Sequence, residues 1–314
     1  MLKLLMVGAG GIGSYYAARL LESGHRVVLT ARGAHLDALV SNGLKVHYGG
    51  RELIHRPEAF SHQQLVARFH PDDFDVIVIA LKSTATESVV DELGAWLRQG
   101  RVPVLSLQNG VDNEPLLAEA IGAERIIGGL AVRIGGHIVR PGVVEAEGVA
   151  EIVMGEWPAA RKPGSARSLL LEKLAAAFDG SGIPTTLSDN VRYELWRKLV
   201  INNGVNPLSA LTGLDTRSLT HHPELSRIVY GMMAETVEAS RADDVNLTKE
   251  DLHEMFELIS SFNAIKTSML IDREKGRPLE LDSIAGAVLK RCANLGIDAP
   301  YTSTIATLLK QQAS

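Results

Sequence analysis

The sequence predicts an α/β protein in which a doubly wound N-terminal domain, residues 1–188, precedes an all-α C-terminal domain, residues 189–314. Three observations predict it: short apolar runs alternate with helical stretches in the first half, a glycine-rich turn follows the first run, and strand signals largely cease after Asp189. Strands of a parallel sheet read as continuous apolar runs because helices cover both faces. With 314 residues and 46% apolar content the chain can fill two packed cores, at roughly 100–200 residues per domain.

The runs Leu2–Val7, Val27–Thr30, Val76–Ala80 and Val102–Leu107 are the strand candidates. Between them, Ser14–Glu22 and Glu87–Leu97 carry helical spacing and stop at Gly24 and Gly100, glycine being the favoured residue just past a helix end. This is the βαβ rhythm of a doubly wound sheet. From Gly135 to Gly155, glycines punctuate β-branched segments, and Ile138–Val139, Val143–Glu147 and Ala150–Met154 are expected as antiparallel hairpins closing the domain. A helix at Ser168–Phe178 and a strand at Ile183–Leu187 follow, and from Asp189 the chain is expected to be helical almost to its end.

A net charge of -5 and a pI of about 6.1 leave no basic stripe to compensate a phosphate backbone, so nucleic acid is not an expected partner. Cys292 is the only cysteine, which allows no internal disulfide, suggests no thiolate metal site and fits a reducing, cytoplasmic compartment. The apolar start, Met1–Val7, is too short for a signal peptide, and no stretch reaches the roughly 20 apolar residues that span a bilayer. No membrane partner and no metal are expected.

Gly8-Ala-Gly-Gly-Ile-Gly13 reads G-x-G-x-x-G between a strand and a helix, with a second strand about 20 residues on. In that context Gly8 serves the turn, Gly10 admits a pyrophosphate against the backbone and Gly13 permits close helix packing, while the helix N-terminus offers amide donors to the anion. A Rossmann-type dinucleotide site formed by Gly8, Ala9, Gly10, Gly11, Ile12 and Gly13 is therefore expected. The second strand ends Leu29-Thr-Ala-Arg32, and Thr30, Ala31 and Gly33 supply no carboxylate for ribose hydroxyls. Arg32 instead suits a 2′-phosphate, which points to NADP(H). Lys82 and Asn109 lie beyond the carboxyl ends of the later strands, where open α/β sheets bind ligands. Each serves either as a ligand contact or as a loop cap.

In the second half Lys198, Asn202 and Asn206 recur at i, i+4 and i+8, a polar stripe flanked by Leu199, Val200, Val205 and Leu208. Polar groups in apolar surroundings cost free energy unless paired, so the stripe lines a ligand cavity or an internal network, or is a solvated face. Pro207 predicts a kink or break beside the asparagines. Farther on, Ser268 and Asp272 are expected to share a helix face, Gly276–Pro278 makes a turn, and Glu280 and Asp282 open an apolar helix. Periodicity does not choose between capping and catalysis for those acids.

The glycine fingerprint, the lysine after the fourth strand, Leu107-Gln-Asn-Gly-Val111, Lys198-x3-Asn-x3-Asn206-Pro-Leu-x-Ala-Leu211 and Ser268-Met-Leu-x-Asp-x4-Gly-Arg-Pro-x-Glu-x-Asp282 occur in order over essentially the whole chain. Together they resemble the ketopantoate reductase (2-dehydropantoate 2-reductase) family. The resemblance implies NADPH-dependent reduction of 2-dehydropantoate to pantoate, in pantothenate and coenzyme A biosynthesis. It implies Lys198 as proton donor, Asn202, Asn206 and Ser268 with Lys198 as substrate ligands, Lys82 and Asn109 near the cofactor, and Glu280 as a catalytic glutamate between cofactor and substrate. It also implies a homodimer. Leu279, Ala299 and Thr216 depart from common family residues, and Arg133 is unusual. These departures leave a reductase of another branched 2-ketoacid as an alternative substrate reading. A 3-hydroxyacid dehydrogenase-like enzyme also carries Lys-x3-Asn but has a glycine-rich substrate loop not evident here. A dinucleotide-binding regulator without turnover has no need of Lys198, Asn202, Asn206 and Glu280 together.

Overall fold

The computed structural model describes residues 1–313. The chain forms two compact units, Met1–Gln108 with Asn113–Val191, and Asn109–Asp112 with the chain from Arg192 onward.

The first unit carries one ten-stranded sheet: β1 Lys3–Val7, β2 Arg26–Thr30, β3 Leu44–Tyr48, β4 Arg51–His55, β5 Glu58–Phe60, β6 Val76–Ile79, β7 Val104–Ser106, β8 Ile126–Arg140, β9 Val143–Glu156 and β10 Thr185–Leu187. Helices α1 Gly11–Glu22, α2 Gly33–Asn42, α3 His62–Arg68, α4 Thr86–Leu97, α5 Asn113–Ile121 and α6 Ala166–Gly180 connect them. Strands β5-β2-β1-β6-β7-β8 pair in parallel, the nucleotide-binding order 3-2-1-4-5-6. The register explains the apolar runs. On β1, Leu4 and Met6 enter one core while Leu5 and Val7 enter the other, and on β6 Val76 and Val78 alternate with Ile77 and Ile79 in the same way.

Two features of this sheet differ from expectation. The three short β segments between Gly135 and Gly155 belong to one long antiparallel hairpin, β8 with β9, whose register slips between Val132 and Ile134 and between Ile138 and Arg140. Arg133 sits in the first slip with φ +50°, next to Ile134, whose partner is Gly148, and a Cβ added at Gly148 would lie 2.1 Å from the Arg133 carbonyl oxygen. The density of glycine hides the continuity of β8. Strands β3 and β4 are unanticipated: β3, Leu-Lys-Val-His-Tyr, alternates as a half-buried strand does, but β4, Arg-Glu-Leu-Ile-His, does not, and β3 adds in parallel to β9. Their two-residue loop Gly49-Gly50, with φ +57° and +74°, is the available signal, since both central residues of such a hairpin turn need positive φ.

The second unit is helical: α7 Val191–Thr212, α8 Thr216–His221, α9 Leu225–Ala239, α10 Lys249–Ser260, α11 Ser268–Glu274, α12 Ala287–Leu295 and α13 Pro300–Ala313. Of the kink or break expected at Pro207, the break does not occur: α7 is continuous through it. Its turn before the proline is clamped by packing: Asn203 Nδ2 donates to Thr236 Oγ1 and Thr302 Oγ1, both at 3.0 Å, and Gly204 lies against Met233 of α9. Tertiary contact thus offsets the missing N–H of the proline. No helix among the described residues is long and apolar enough to cross a membrane, and no cluster of His, Cys, Asp and Glu suited to a metal ion occurs among them.

Candidate active site

In the first unit, the loop between β1 and α1 turns at Gly8, whose φ of +105° lies where side chains are disfavoured. A Cβ on Gly13 would stand 2.1 Å from the Gly8 carbonyl oxygen, so helix and turn meet backbone to backbone. A Cβ on Gly10 would meet nothing within 4 Å, and no side chain caps α1. An open backbone face at an uncapped helix N-terminus fits the pyrophosphate of a dinucleotide. Gly11 faces the other way, against Gly136 of β8, with Cβ space of only 2.0 Å. Ala9 is buried and Ile12 half-buried in the same loop.

Arg32 follows β2 and is exposed. The sequence around it holds no acid, yet the fold brings one: Glu92 of α4 accepts a hydrogen bond from Arg32 Nη2 at 3.2 Å. Ser88 donates to the same carboxylate oxygen at 2.8 Å, and buried His62 lies 2.6 Å from the other. Ser88 chiefly, with His62 and Arg32, holds the Glu92 carboxyl below the usual carboxylate range against the opposing effect of burial. With that carboxylate ionised, His62 Nδ1 is the donor. The chain continues through Thr30 Oγ1, 3.4 Å from His62 Nε2, to the Gly8 amide, which donates to Thr30 Oγ1 at 3.0 Å. Sequence reading missed His62, Ser88 and Glu92, which carry no local motif.

Lys82, half-buried beyond β6, has its carbonyl held by Gln108 Nε2 at 3.2 Å, and the same amide donates to Thr86 Oγ1 at 2.8 Å. Gln108 thus pins the turn that presents the lysine.

In the second unit, Asn109 Nδ2 donates to Glu280 Oε2 at 3.3 Å, joining two predicted site residues 171 positions apart in sequence. Glu280 is buried at 6% exposure. It precedes a π-helical turn, Asp282–Gly286, and not the simple helix start the sequence suggested. Gly110 approaches the Ser283 carbonyl so closely that a Cβ would lie 2.9 Å from it. Arg291 completes the anchorage, donating to Asp112 at 2.7 Å and to Asp243 at 2.8 Å, its guanidinium 5.3 Å from the Trp196 ring.

The α7 stripe divides by burial: Lys198 and Asn202 are half-buried and Asn206 is buried. The Asn202 Nδ2 is shielded from solvent and has no hydrogen-bond partner among the described residues. A donor in that condition costs free energy until an acceptor reaches it. Ser268 opens α11 and is exposed, whereas Asp272, four residues on, is buried, so the two do not share one environment. Thr216 is structural here: its hydroxyl donates to the Asn263 carbonyl at 3.1 Å and accepts from the Ile265 amide at 3.3 Å.

Residues 4–159 match the family model described as ketopantoate reductase PanE/ApbA, and residues 190–313 match the model of its C-terminal part. The 2-dehydropantoate 2-reductase of Pyrococcus abyssi is 26% identical over 98% of this chain and 97% of its own. A solved 2-dehydropantoate 2-reductase from Geobacter metallireducens is 31% identical, with a TM-score of 0.85 over 99% of this chain and 100% of that one. The ternary structure of D-mandelate dehydrogenase with NADH and anilino(oxo)acetate shares the fold, at a TM-score of 0.88 and 22% identity over 99% of this chain and 98% of that one.

Proposed function

Since this chain belongs to the ketopantoate reductase family, whose named members are oxidoreductases acting on the C=O/CH–OH pair, we propose that it reduces 2-dehydropantoate to pantoate with NADPH, serving pantothenate biosynthesis. The observation that carries the reading is the unmatched, buried Asn202 Nδ2 one turn beyond Lys198, a donor waiting for a substrate oxygen on the same stripe as an ammonium. The loop Gly8–Gly13 with Arg32 and Lys82 would hold the cofactor, which supplies the hydride when bound. As the substrate carbonyl is reduced, its oxygen would gain negative charge. Lys198 stabilises the charge electrostatically and transfers a proton from Nζ to the oxygen, and solvent restores that proton. Asn202, Asn206 and Ser268 bind the carboxylate and hydroxyl of the substrate. Glu280, kept in place by Asn109, orients the reacting groups from a buried position. The lone buried cysteine suits a cytoplasmic location, and a homodimer is the assembly to test by sedimentation.

The test is NADPH absorbance followed with a panel of branched 2-ketoacids. Turnover highest with 2-dehydropantoate supports the assignment. A higher kcat/KM for another ketoacid moves the substrate within the family, and no oxidation with any of them overturns the reductase reading.

A further inference from the structure

We propose that Glu92, fastened by His62 and Ser88 against the Arg32 guanidinium, is a cofactor-discriminating residue that makes the preference for NADP(H) smaller than Arg32 alone would give. The inference rests on the reading that places Arg32 at the adenosine ribose. Taken singly, the end of β2 offers a cation and no acid. The folded protein presents a pair, Arg32 Nη2 to Glu92 Oε1 at 3.2 Å.

Glu92 is not a loose surface acid. One of its oxygens meets His62, buried and 2.6 Å away, and His62 is backed by Thr30, whose hydroxyl also takes the Gly8 amide of the nucleotide loop. The other oxygen receives Ser88 at 2.8 Å as well as Arg32. Buried His62 and Ser88 of the same helix hold the carboxylate, and the exposed Arg32 guanidinium meets it there, on the element that follows the Lys82 turn.

Two consequences follow for a nucleotide bound there. A 2′-phosphate draws on the guanidinium but must share it with a carboxylate already bonded to it, and the two anions repel. The unphosphorylated ribose brings hydroxyl donors instead, and the Glu92 carboxylate is an acceptor for them, the role that an acid at the end of the second strand plays in NAD-binding folds. Glu92 therefore disfavours one nucleotide and favours the other. Both side chains are partly exposed, so the effect is screened by salt.

The experiment is a fluorescence titration of NADPH and NADH binding to the full chain, without ketoacid, for the wild type, Glu92→Gln and Arg32→Gln, with 2′,5′-ADP as a competing probe of the phosphate alone. Gln keeps the size of Glu and an acceptor for His62. Urea denaturation shows that each variant is folded. The expected result is that Glu92→Gln tightens NADPH and 2′,5′-ADP and weakens NADH, shifting the ratio of dissociation constants on the order of tenfold at low salt and less at high salt. Arg32→Gln should weaken NADPH alone. A parallel loss of both nucleotides in Glu92→Gln, or an unchanged ratio, overturns the inference while a selective loss in Arg32→Gln leaves the parent reading standing. Equal affinities in Arg32→Gln and wild type overturn the placement of Arg32 and the inference with it.

Discussion

Lys198 and Asn202 sit one turn apart on α7, and their different chemistry separates two losses. Lys198→Ala removes the proposed proton donor, and kcat should fall roughly 10²–10⁴-fold with the nucleotide dissociation constant unchanged. Near-normal turnover would take Lys198 out of the mechanism. Asn202→Ala removes a buried donor that has no protein partner, so the folded chain should lose little stability. Its cost should appear as a higher KM for the ketoacid, with kcat/KM reduced about 5- to 150-fold for an interaction of about 1–3 kcal/mol. An unchanged ketoacid KM would refute its role. This stripe was legible because helical spacing is local. Asn203, next to it, lies off that i, i+4, i+8 spacing, and its amide is taken up by Thr236 and Thr302.

Helix α7 is held on two sides, and each contact makes a stability prediction. Gly204 leaves room for Met233 of α9, since a Cβ there would stand 2.4 Å from Met233 Cγ. Gly204→Val should overpack this crossing and lower stability by about 1–3 kcal/mol, seen as a lower urea midpoint at an unchanged slope. At the other side buried Asp251, in the first turn of α10, accepts from Tyr193 and from Arg197 at 2.8 Å, and its other oxygen closes a capping box with Thr248. Burial opposes ionisation, but the bonds from Tyr193 and Thr248 and the Arg197 charge together keep the carboxyl below its ordinary range. A carboxyl depressed in the folded state contributes stability that is present above the unfolded value and lost as pH falls through the folded one. The wild-type urea midpoint should therefore drop on acidification below about pH 5 more steeply than that of Asp251→Asn, which has already lost the ionised form. Equal acid slopes would show that Asp251 does not set this dependence. The capping box, Thr248 to Asp251, can be read from spacing, but its partners on α7 lie more than fifty positions away.

For the molecule as a whole, the segment Asn109–Asp112 matters most, because the chain supplies it between β7 and α5 of the first unit while its contacts are made in the second. Arg291→Ala would leave the partly exposed carboxylates of Asp112 and Asp243 without their guanidinium, at a cost of about 1–3 kcal/mol in urea denaturation, and should also loosen Asn109 from Glu280 and lower kcat. Arg291→Ala with wild-type stability and turnover would deny the segment this anchor. Residue order alone was enough for the parallel sheet, the glycine-rich turn between β1 and α1, the helical second half and the polar stripe of α7. Each of these rests on periodicity or on a motif of a few residues, and apolar runs record burial directly. Only folding decided that β8 and β9 form one hairpin extended by β3 and β4, that Asn109 meets Glu280 across 171 positions, and that Glu92 meets Arg32 across 60. The reason is physical: a polar residue on a helix surface looks the same in sequence whether it faces water or a charged partner, and the pairing that gives it a role exists only once distant backbone segments have been packed together.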